Sequence, residues 1–107
     1  MSTRLPGREY KAVFDRGRSF RGRLLVAWRL ASEKPEPLAG VVVSKRTFHK
    51  AVERSRAKRI MREAFRLLAK EGRIDPNFRW IFIARVSMQN AKCEDVQRDI
   101  LKICGRF

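Results

Sequence analysis

Arginine and lysine side chains recur in the middle of the chain at spacings that would place them on one side of a helix. With about 100° between successive helical residues, this side lies opposite the apolar one and carries no acid. Its members are Ser55, Lys58, Arg59, Arg62 and Arg66. Solvated helix faces usually mix both signs, because like charges one turn apart repel each other. The single sign therefore predicts a phosphate-binding face, since guanidinium groups hold phosphate with paired hydrogen bonds.

Further cations lie just before this helix and on its first turns. Residues 45–66 hold nine Lys and Arg side chains against two acids, Glu53 and Glu63, and both acids lie outside the cationic arc. The additional cations are Lys45, Arg46 and Lys50 before the helix and Arg54 and Arg56 within it. Neutralising about six to nine phosphates would make binding steeply dependent on salt. The alternative interpretation is a charged side that only faces solvent, and the single sign favours phosphate binding over it.

Three aromatic residues, Tyr10, Phe14 and Trp28, lie among cations in the first third of the chain. The neighbouring cations are Lys11, Arg16, Arg18, Arg21, Arg23 and Arg29. Aromatic side chains beside cations form stacking platforms for single-stranded bases, although packing in the core explains the same spacing equally well. Phe65 lies at the apolar edge of the cationic helix, and Trp80 and Phe82 share a strand face. These last three are predicted to be core residues.

Groups that could make the protein a catalyst by itself are scattered. His49 is the one histidine, and no acid adjoins it in the sequence, so it is a poor candidate for a general base. Asp95 and Asp99 share a helical face at i, i+4 and could hold a divalent ion. Acids early in a helix are, however, typical of helix-dipole stabilisation. We therefore expect no catalytic residue and no metal ligand in the chain, and we expect the chemistry to come from a partner.

Hydrophobic periodicity predicts three helices and three strands in the order α-β-β-α-β-α. The predicted helices cover residues 8–16, 50–70 and a last segment that Asn90 would cap, and the predicted strands cover residues 23–31, 38–44 and 78–86. Gly17 and Gly72 are expected to end the first two helices. The turn over residues 32–37 is short, so the first two strands are predicted to form a hairpin. This order is typical of a small α+β sandwich of helices against a short sheet.

The composition fits a single RNA-binding domain over residues 1–107, with residues 1–7 as a flexible arm. Apolar residues make up 44% of the chain, and the net charge is +15. Such a charge points to an anionic partner, with nucleic acid first and an acidic membrane second. No apolar run approaches the roughly 20 residues that cross a bilayer. Cys93 and Cys104 would lie about 16 Å apart along the last helix, too far for a disulfide, and free thiols favour a cytoplasmic location.

One stretch of the chain resembles a known family. Residues 43–46 and 51–66, which include the run Arg54-Ser55-Arg56, closely resemble the signature helix of the protein component of bacterial ribonuclease P. The family pattern is Arg-Asn-Arg-x-x-Arg-x-x-Arg, so Ser55 stands where asparagine is usual. The resemblance covers roughly residues 5–105, and it includes Tyr10, Phe14, Gly17, Trp28 and residues 81–85.

The resemblance implies both a fold and a function. The fold would be an α-β sandwich with a left-handed β-α-β crossover through the signature helix, opposite to the usual hand. The protein would be the non-catalytic subunit of a ribonucleoprotein endoribonuclease, a hydrolase whose chemistry is done by a catalytic RNA with bound Mg²⁺. This holoenzyme removes the 5′ leader from precursor tRNA and leaves the mature 5′ end. The implied partners are the catalytic RNA and precursor tRNA, with no membrane and no small-molecule substrate.

The resemblance also assigns residues to two sites. The catalytic RNA would be bound by Arg54, Ser55, Arg56, Lys58, Arg59, Arg62 and Arg66. The single-stranded leader would lie in a cleft formed by Tyr10, Phe14 and Trp28, with Lys45 and Arg46 contacting its backbone at the edge. Two rival functions stay open from the residues alone, namely a ribosomal or other structural RNA-binding protein and a stand-alone metal-dependent nuclease.

Overall fold

The computed structural model describes residues 3–104 and contains a four-stranded sheet with three α-helices. The helices are α1 (Tyr10–Arg16), α2 (Ala51–Lys70) and α3 (Cys93–Cys104), and the strands are β1 (Arg18–Arg21), β2 (Leu25–Ala31), β3 (Leu38–Val42) and β4 (Phe78–Ala84). Short 3-10 turns precede α1 at Gly7–Glu9 and follow β4 at Val86–Met88. The mixed α+β sandwich expected from the sequence is confirmed. Met1, Ser2 and residues 105–107 lie outside the described residues.

The strands lie in the order β1-β2-β4-β3. The β1/β2 and β2/β4 pairs are antiparallel, whereas β3 and β4 run parallel. The predicted hairpin between the strands at 23–31 and 38–44 is therefore wrong, because β4 lies between them. The β4 sequence is apolar on both faces apart from Arg79, which suits a central strand. Since β3 reaches β4 through α2, the chain makes a β-α-β crossover, and its left hand stays a prediction from the resemblance.

A fourth strand, β1, was not predicted from the sequence. Its residues are mostly polar and exposed, so it carries no apolar periodicity that could reveal it. Backbone pairing with β2 forms it, with Ser19 opposite Trp28 and Phe20 opposite Ala27. The hairpin of the protein is therefore β1–β2 rather than β2–β3.

The turn of this hairpin is fastened to α3 by one buried carboxylate. Asp99 is 5% exposed, and it accepts hydrogen bonds from the backbone N–H groups of three successive residues. The donor–acceptor distances are 3.0 Å for Arg23, 3.0 Å for Leu24 and 3.3 Å for Leu25. A charged acceptor strengthens such bonds, so Asp99 ties the β1–β2 turn to the last helix.

The amino-terminal segment, within the arm expected over residues 1–7, pairs with the outer edge of β3. The Leu5 N–H donates to the Ala39 carbonyl at 3.0 Å, and the Ala39 N–H donates to the Thr3 carbonyl at 2.9 Å. Leu5 is buried beside Leu38 and Ile81. Residues 3–5 pair there because β3 is an edge strand whose free backbone groups accept another segment. The flexibility of the arm over residues 1–7 stays a prediction. Met1 and Ser2 lie outside the described residues.

The two faces of the sheet are covered differently. On one face α2 and α3 bury a large core that includes the predicted core residues Phe65, Trp80 and Phe82, each no more than 1% exposed. On the other face, Val13 of α1 packs on Leu38 and Ile81 in a smaller core. The short α1 leaves part of this second face partly exposed, at Val26, Val42 and Ile83.

The helix ends show which local signals were informative. Gly72 has φ +71 just beyond α2, the left-handed conformation expected of a glycine at a helix end. Gly17 does follow α1, but its backbone is extended, and a Cβ there would collide with the Val13 and Arg29 carbonyls. The predicted cap at Asn90 is wrong, because α3 begins at Cys93 and the Asp95 carboxylate accepts from the Lys92 N–H at 3.0 Å. The Asp95 carboxylate is a stronger acceptor at the first turn than the amide oxygen of Asn90 would be.

Cys93 and Cys104 are free thiols at the two ends of α3, as the sequence predicted. Burial raises the pKa of both thiols, and it raises that of Cys104 well above the ordinary value. A thiol held in its protonated form is a weak nucleophile, so both cysteines serve as small apolar side chains of the core.

Candidate nucleic-acid interface

The open face of the sheet presents three rows of side chains that run across β2, β4 and β3. From one end of the strands to the other, the rows are Leu30–Arg79–Leu38, Trp28–Ile81–Gly40 and Val26–Ile83–Val42. Helix α1 and the 3-10 turn before it cover the first two rows, since Glu9 of the turn contacts Arg79 and Val13 of α1 packs on Ile81. The third row stays half-exposed and wholly apolar. A contiguous strip of partly exposed apolar side chains makes this face a candidate binding surface on so highly charged a protein.

Aromatic side chains of α1 and β2 lie beside this strip, where the sequence analysis expects a cleft. Phe14 packs edge-to-face against Trp28, with ring centroids 5.6 Å apart. The Tyr10 hydroxyl accepts a hydrogen bond from the Val41 N–H at 3.2 Å. All three aromatic residues are half-buried, so each leaves ring surface for a ligand. The structure thus brings together the three aromatics that the sequence analysis singled out. The floor of Val26, Val42 and Ile83 was missed, because strand register cannot be deduced from an isolated strand sequence.

Gly40 gives the Tyr10 ring its place on the sheet. A Cβ at this position would overlap the Tyr10 hydroxyl and ring atoms, so any larger residue must displace the ring. Displacement would also leave the Val41 N–H at the outer edge of β3 without its acceptor. Close approach, rather than an unusual φ, is the reason for glycine here.

Replacing Gly40 by valine is therefore expected to lower the free energy of unfolding by about 1–3 kcal/mol, the usual cost of overpacking. Urea denaturation followed by circular dichroism measures this change. Gly7→Ala is the matched control, because a Cβ at Gly7 meets no atom within 4 Å. Equal stability of the two variants would contradict the contact between Gly40 and Tyr10.

The loop of residues 44–50 carries Lys45 and Arg46 beyond the Val42 end of the open strip. The Ser44 hydroxyl accepts from the Arg46 N–H at 3.0 Å, and the Ser44 carbonyl accepts from the Phe48 N–H at 3.0 Å. Phe48 is 1% exposed and anchors the loop in the larger core. Both Lys45 and Arg46 are exposed, and neither forms an ion pair with a residue in the range 3–104. They are available to an anionic ligand beside the cleft.

On the opposite side of the sheet, α2 presents the predicted cationic face to solvent. The helix buries the side formed by Ala57, Met61, Ala64, Phe65 and Leu68. Arg59 is exposed, and Lys58 and Arg62 are half-exposed. Within residues 3–104 no carboxylate lies within salt-bridge distance of these three cations. Ser55 is exposed on the same side. The predicted separation of apolar and cationic sides is confirmed.

Arg66 differs from the other cations because it is paired. Its Nε and Nη2 donate to the Glu63 carboxylate at 3.1 and 2.6 Å. The guanidinium hydrogen bonds lower the pKa of Glu63, and the carboxylate raises that of Arg66. The expectation that no acid reaches the cationic arc is wrong at this position: Glu63 lies outside the arc by its backbone, but its side chain extends to Arg66. Both partners are about half exposed, so water and salt screen the pair.

Arg54 and Arg56 bind backbone carbonyls of neighbouring loops. Nη1 of Arg54 donates to the carbonyls of Phe48 and His49 at 2.8 and 2.9 Å. Arg56 donates to the carbonyls of Gln89 and Ala91 at 3.2 and 2.9 Å. Both residues were expected to act through phosphate contacts. The structure shows that each already holds a loop in place.

A cavity of about 290 Å³ adjoins the cationic face, between α2 and the amino-terminal segment. It is lined by Thr3, Arg4, Arg59, Arg62, Glu63 and Arg66. Arg4 was not predicted as a site residue, because its position depends on the pairing of residues 3–5 with β3. The amino-terminal segment thus extends the basic surface of α2 by one further cation.

The acids of α3 are occupied by structural tasks. Asp99 holds the β1–β2 turn, and Asp95 caps the first turn of α3 and lies 3.7 Å from Arg98. The two carboxylates that could have held a divalent ion therefore accept hydrogen bonds from backbone N–H groups instead. In the part of the chain that the structure describes, no three His, Cys, Asp or Glu side chains come together as possible metal ligands.

Comparison with known proteins places these features in a family. A family model described as Ribonuclease P matches residues 4–107. The chain belongs to the ribonuclease P protein family. The ribonuclease P protein component of Clostridioides difficile strain 630 is 34% identical over 98 residues, which cover 92% of this chain and 84% of the relative. That of Pelotomaculum thermopropionicum is also 34% identical, over 92% of this chain and 86% of the relative.

Solved ribonuclease P proteins share the fold. The protein from Thermotoga maritima matches with a TM-score of 0.80 at 24% identity, over 94% of each chain. The protein from Staphylococcus aureus matches with a TM-score of 0.76 at 23% identity, over 96% of this chain and 93% of that one. The resemblance seen in the sequence is confirmed, and membership of the ribonuclease P family gives the chain a part in a ribonuclease complex that processes the 5′ end of tRNA. No helix within residues 3–104 is long and apolar enough to span a membrane.

Proposed function

We propose that this chain binds the catalytic RNA of ribonuclease P on α2 and the single-stranded 5′ leader of precursor tRNA in the cleft beside α1. It would thereby support endonucleolytic removal of the leader. The observation that carries the proposal is the presence of two surfaces of different chemistry on opposite faces of one sheet. One is a helix face of solvent-facing cations, and the other is an aromatic and aliphatic cleft. Such an arrangement suits a protein that holds two RNA molecules at once.

The helix surface suits the phosphate backbone of a folded RNA. Lys58, Arg59 and Arg62 have no carboxylate partner within residues 3–104 and can neutralise phosphates directly, with release of counterions. Arg66 can exchange its screened partner Glu63 for a phosphate oxygen. The Ser55 hydroxyl can donate to a phosphate or a ribose oxygen, although it lacks the amide group of the asparagine usual there. Arg54 and Arg56 add positive charge to this surface while their guanidinium groups hold the adjoining loops.

The cleft suits an RNA segment whose bases are unpaired. Phe14 and Trp28 offer ring surface for stacking, at roughly 1–3 kcal/mol per base, and every base has a face that can stack. The floor of Val26, Val42 and Ile83 offers no side-chain hydrogen-bond donors or acceptors that could select one base over another. Lys45 and Arg46 would contact the leader backbone at the edge. A cleft of this kind would accept leaders of many sequences.

We place the hydrolysis on the RNA partner, with Mg²⁺ bound mainly by that RNA. Two observations support this placement: Asp95 and Asp99 already accept hydrogen bonds from backbone N–H groups, and no three possible metal ligands come together within residues 3–104. When bound to the RNA, Mg²⁺ would supply the activated nucleophile and screen phosphates. The cations of this chain would screen the same repulsion and reduce the Mg²⁺ concentration needed. We expect the protein to work in the cytoplasm, where precursor tRNA is made.

Reconstitution with the matching catalytic RNA and a precursor tRNA tests the function directly. We expect the protein to stimulate leader cleavage most strongly at low Mg²⁺ concentration. A structural RNA-binding protein would bind RNA without this stimulation. A stand-alone nuclease would cut precursor tRNA without the catalytic RNA, and its activity would survive treatment of the preparation with a ribonuclease that is then removed.

Phe14→Ala tests the leader cleft. We expect the reconstituted complex to bind precursor tRNA roughly tenfold more weakly while its affinity for mature tRNA stays unchanged, since one stacking platform is lost. Equilibrium binding of the two tRNAs to the holoenzyme measures the ratio. Phe20→Ala is the matched control, because Phe20 stacks on Arg29, which follows Trp28 in β2 and so points to the opposite face of the sheet. Equal losses for both tRNAs would argue against a leader cleft.

A further inference from the structure

The loop of residues 44–50 is the covalent link between the two proposed RNA surfaces. It leaves β3 two residues after Val42, which belongs to the cleft floor, and it ends where α2 begins at Ala51. It carries three cations, Lys45, Arg46 and Lys50. The conformation of the loop therefore decides where Lys45 and Arg46 lie relative to a single-stranded leader in the cleft.

Arg54 closes this loop from the first turn of α2. Both hydrogens of its Nη1 are used, since this nitrogen donates to the Phe48 carbonyl at 2.8 Å and to the His49 carbonyl at 2.9 Å. The N-cap residue Lys50 supplies no side-chain hydrogen bond to the helix, and its carbonyl accepts from the Arg54 N–H at 3.1 Å. The guanidinium group adds two further bonds between the end of the loop and α2. Arg54 is only half-exposed, whereas Arg59 on the same helix is exposed.

We infer that Arg54 is a positioning residue for leader recognition: it acts on the leader through Lys45 and Arg46 rather than by contacting phosphate itself. Buried Phe48 and the Ser44 turn fix the middle of the loop, and Arg54 fixes its end. Loss of the clamp would let the loop take up several conformations, of which few keep both cations at the cleft edge. This inference rests on the proposed leader cleft.

Arg54→Lys separates the effect of the positive charge from the effect of the two carbonyl contacts. It preserves the positive charge of α2, but a single ammonium group on a flexible stem lacks the planar fork that holds two carbonyls at fixed directions. We therefore expect Arg54→Lys to lower the preference of the holoenzyme for precursor over mature tRNA about fivefold. The salt dependence of binding to the catalytic RNA should stay unchanged, since the number of cations is the same.

A double-mutant cycle gives the decisive readout. In the background Lys45→Ala with Arg46→Ala, the proposed contacts at the cleft edge are already absent, so Arg54→Lys should cause no further loss of precursor preference. A structural defect unrelated to these cations would lower the preference again. Thermal denaturation of each variant shows whether it folds. Should Arg54→Lys fail to fold, Arg54→Gln takes its place, and the double-mutant cycle on precursor preference is then the readout, because this variant also removes one charge.

The matched control is Arg85→Lys, because Arg85 also clamps two successive carbonyls with one nitrogen. Its Nη1 donates to the Gly22 and Arg23 carbonyls at 2.7 and 3.3 Å, but Asp99 holds the same turn independently. We expect Arg85→Lys to leave the precursor preference unchanged.

The outcomes distinguish this inference from the proposed function. Unchanged precursor preference in Arg54→Lys, or in Arg54→Gln if that variant is used, contradicts the positioning role of Arg54. It does not contradict the proposed leader cleft. If Lys45→Ala with Arg46→Ala has no effect on the preference, these two cations do not contact the leader. The inference about Arg54 is then contradicted as well. A reduced preference in Arg54→Lys that persists undiminished in the Lys45/Arg46 background also overturns the inference.

Discussion

Replacing Arg59 and Arg62 by alanine together is expected to weaken binding to the catalytic RNA about thirtyfold at moderate salt. Neither guanidinium group has a carboxylate partner in the described part of the chain, so both are available to phosphates. Each phosphate neutralised by a cation adds about 0.9 to the slope of log affinity against log salt. The slope should therefore fall by about two, measured by titrating labelled RNA with the protein across a series of salt concentrations.

The control for this double replacement is Arg98→Ala with Lys102→Ala, which removes the same charge from α3. Both residues are exposed and lie on another helix. We expect the control to change the affinity only slightly, and the slope by much less than two. An unchanged slope in the Arg59/Arg62 variant would remove α2 from the RNA contact and leave only its general positive field.

Asp99→Ala is expected to destabilise the protein strongly for the loss of a single polar side chain. It leaves the backbone N–H groups of Arg23, Leu24 and Leu25 without their acceptor, two of them in buried surroundings. Hydrogen bonds to a charged group contribute about 1.5–3 kcal/mol each, and relaxation of the turn recovers part of that sum. We expect a loss of about 3 kcal/mol in the free energy of unfolding, and a melting temperature lower by roughly 15 °C.

Two further variants make the Asp99 prediction specific. Asp99→Asn keeps one carbonyl oxygen as an acceptor and should lose about half as much stability. Asp15→Ala removes an exposed acid that pairs with Lys11 at 2.7 Å, and it should cost less than about 0.5 kcal/mol. If Asp99→Ala were as stable as Asp15→Ala, the three backbone hydrogen bonds would contribute nothing.

The elements that could be predicted from the sequence are those with a strong local pattern. The helix signal over residues 50–70 matches α2 (Ala51–Lys70) within one residue, because its apolar side repeats with the helical period. The strand signal over residues 78–86 matches β4 except at its end. The polar strand β1 and the order of strands were out of reach, since both depend on backbone pairing between segments far apart in the sequence.

The same division applies to the site. Arg59 and Arg62 were predicted to be exposed cations because helical geometry alone places them opposite Ala57 and Met61. Tyr10, Phe14 and Trp28 could be named from the sequence, but their cleft needs the register that places Val26, Ile83 and Val42 in one row. The carbonyl contacts of Arg54 depend on the path of the preceding loop, and no periodicity encodes that path.

The central position of β4 has a consequence for synthesis on the ribosome. β4 pairs with both β2 and β3, so neither strand has its inner neighbour until Ala84 has left the exit tunnel. Ile83, which completes the cleft floor, and the packing surface that α2 requires arrive at the same late stage. A nascent chain interrupted before Phe78 would therefore carry the cations of α2 but lack the strand on which both faces of the sheet are built.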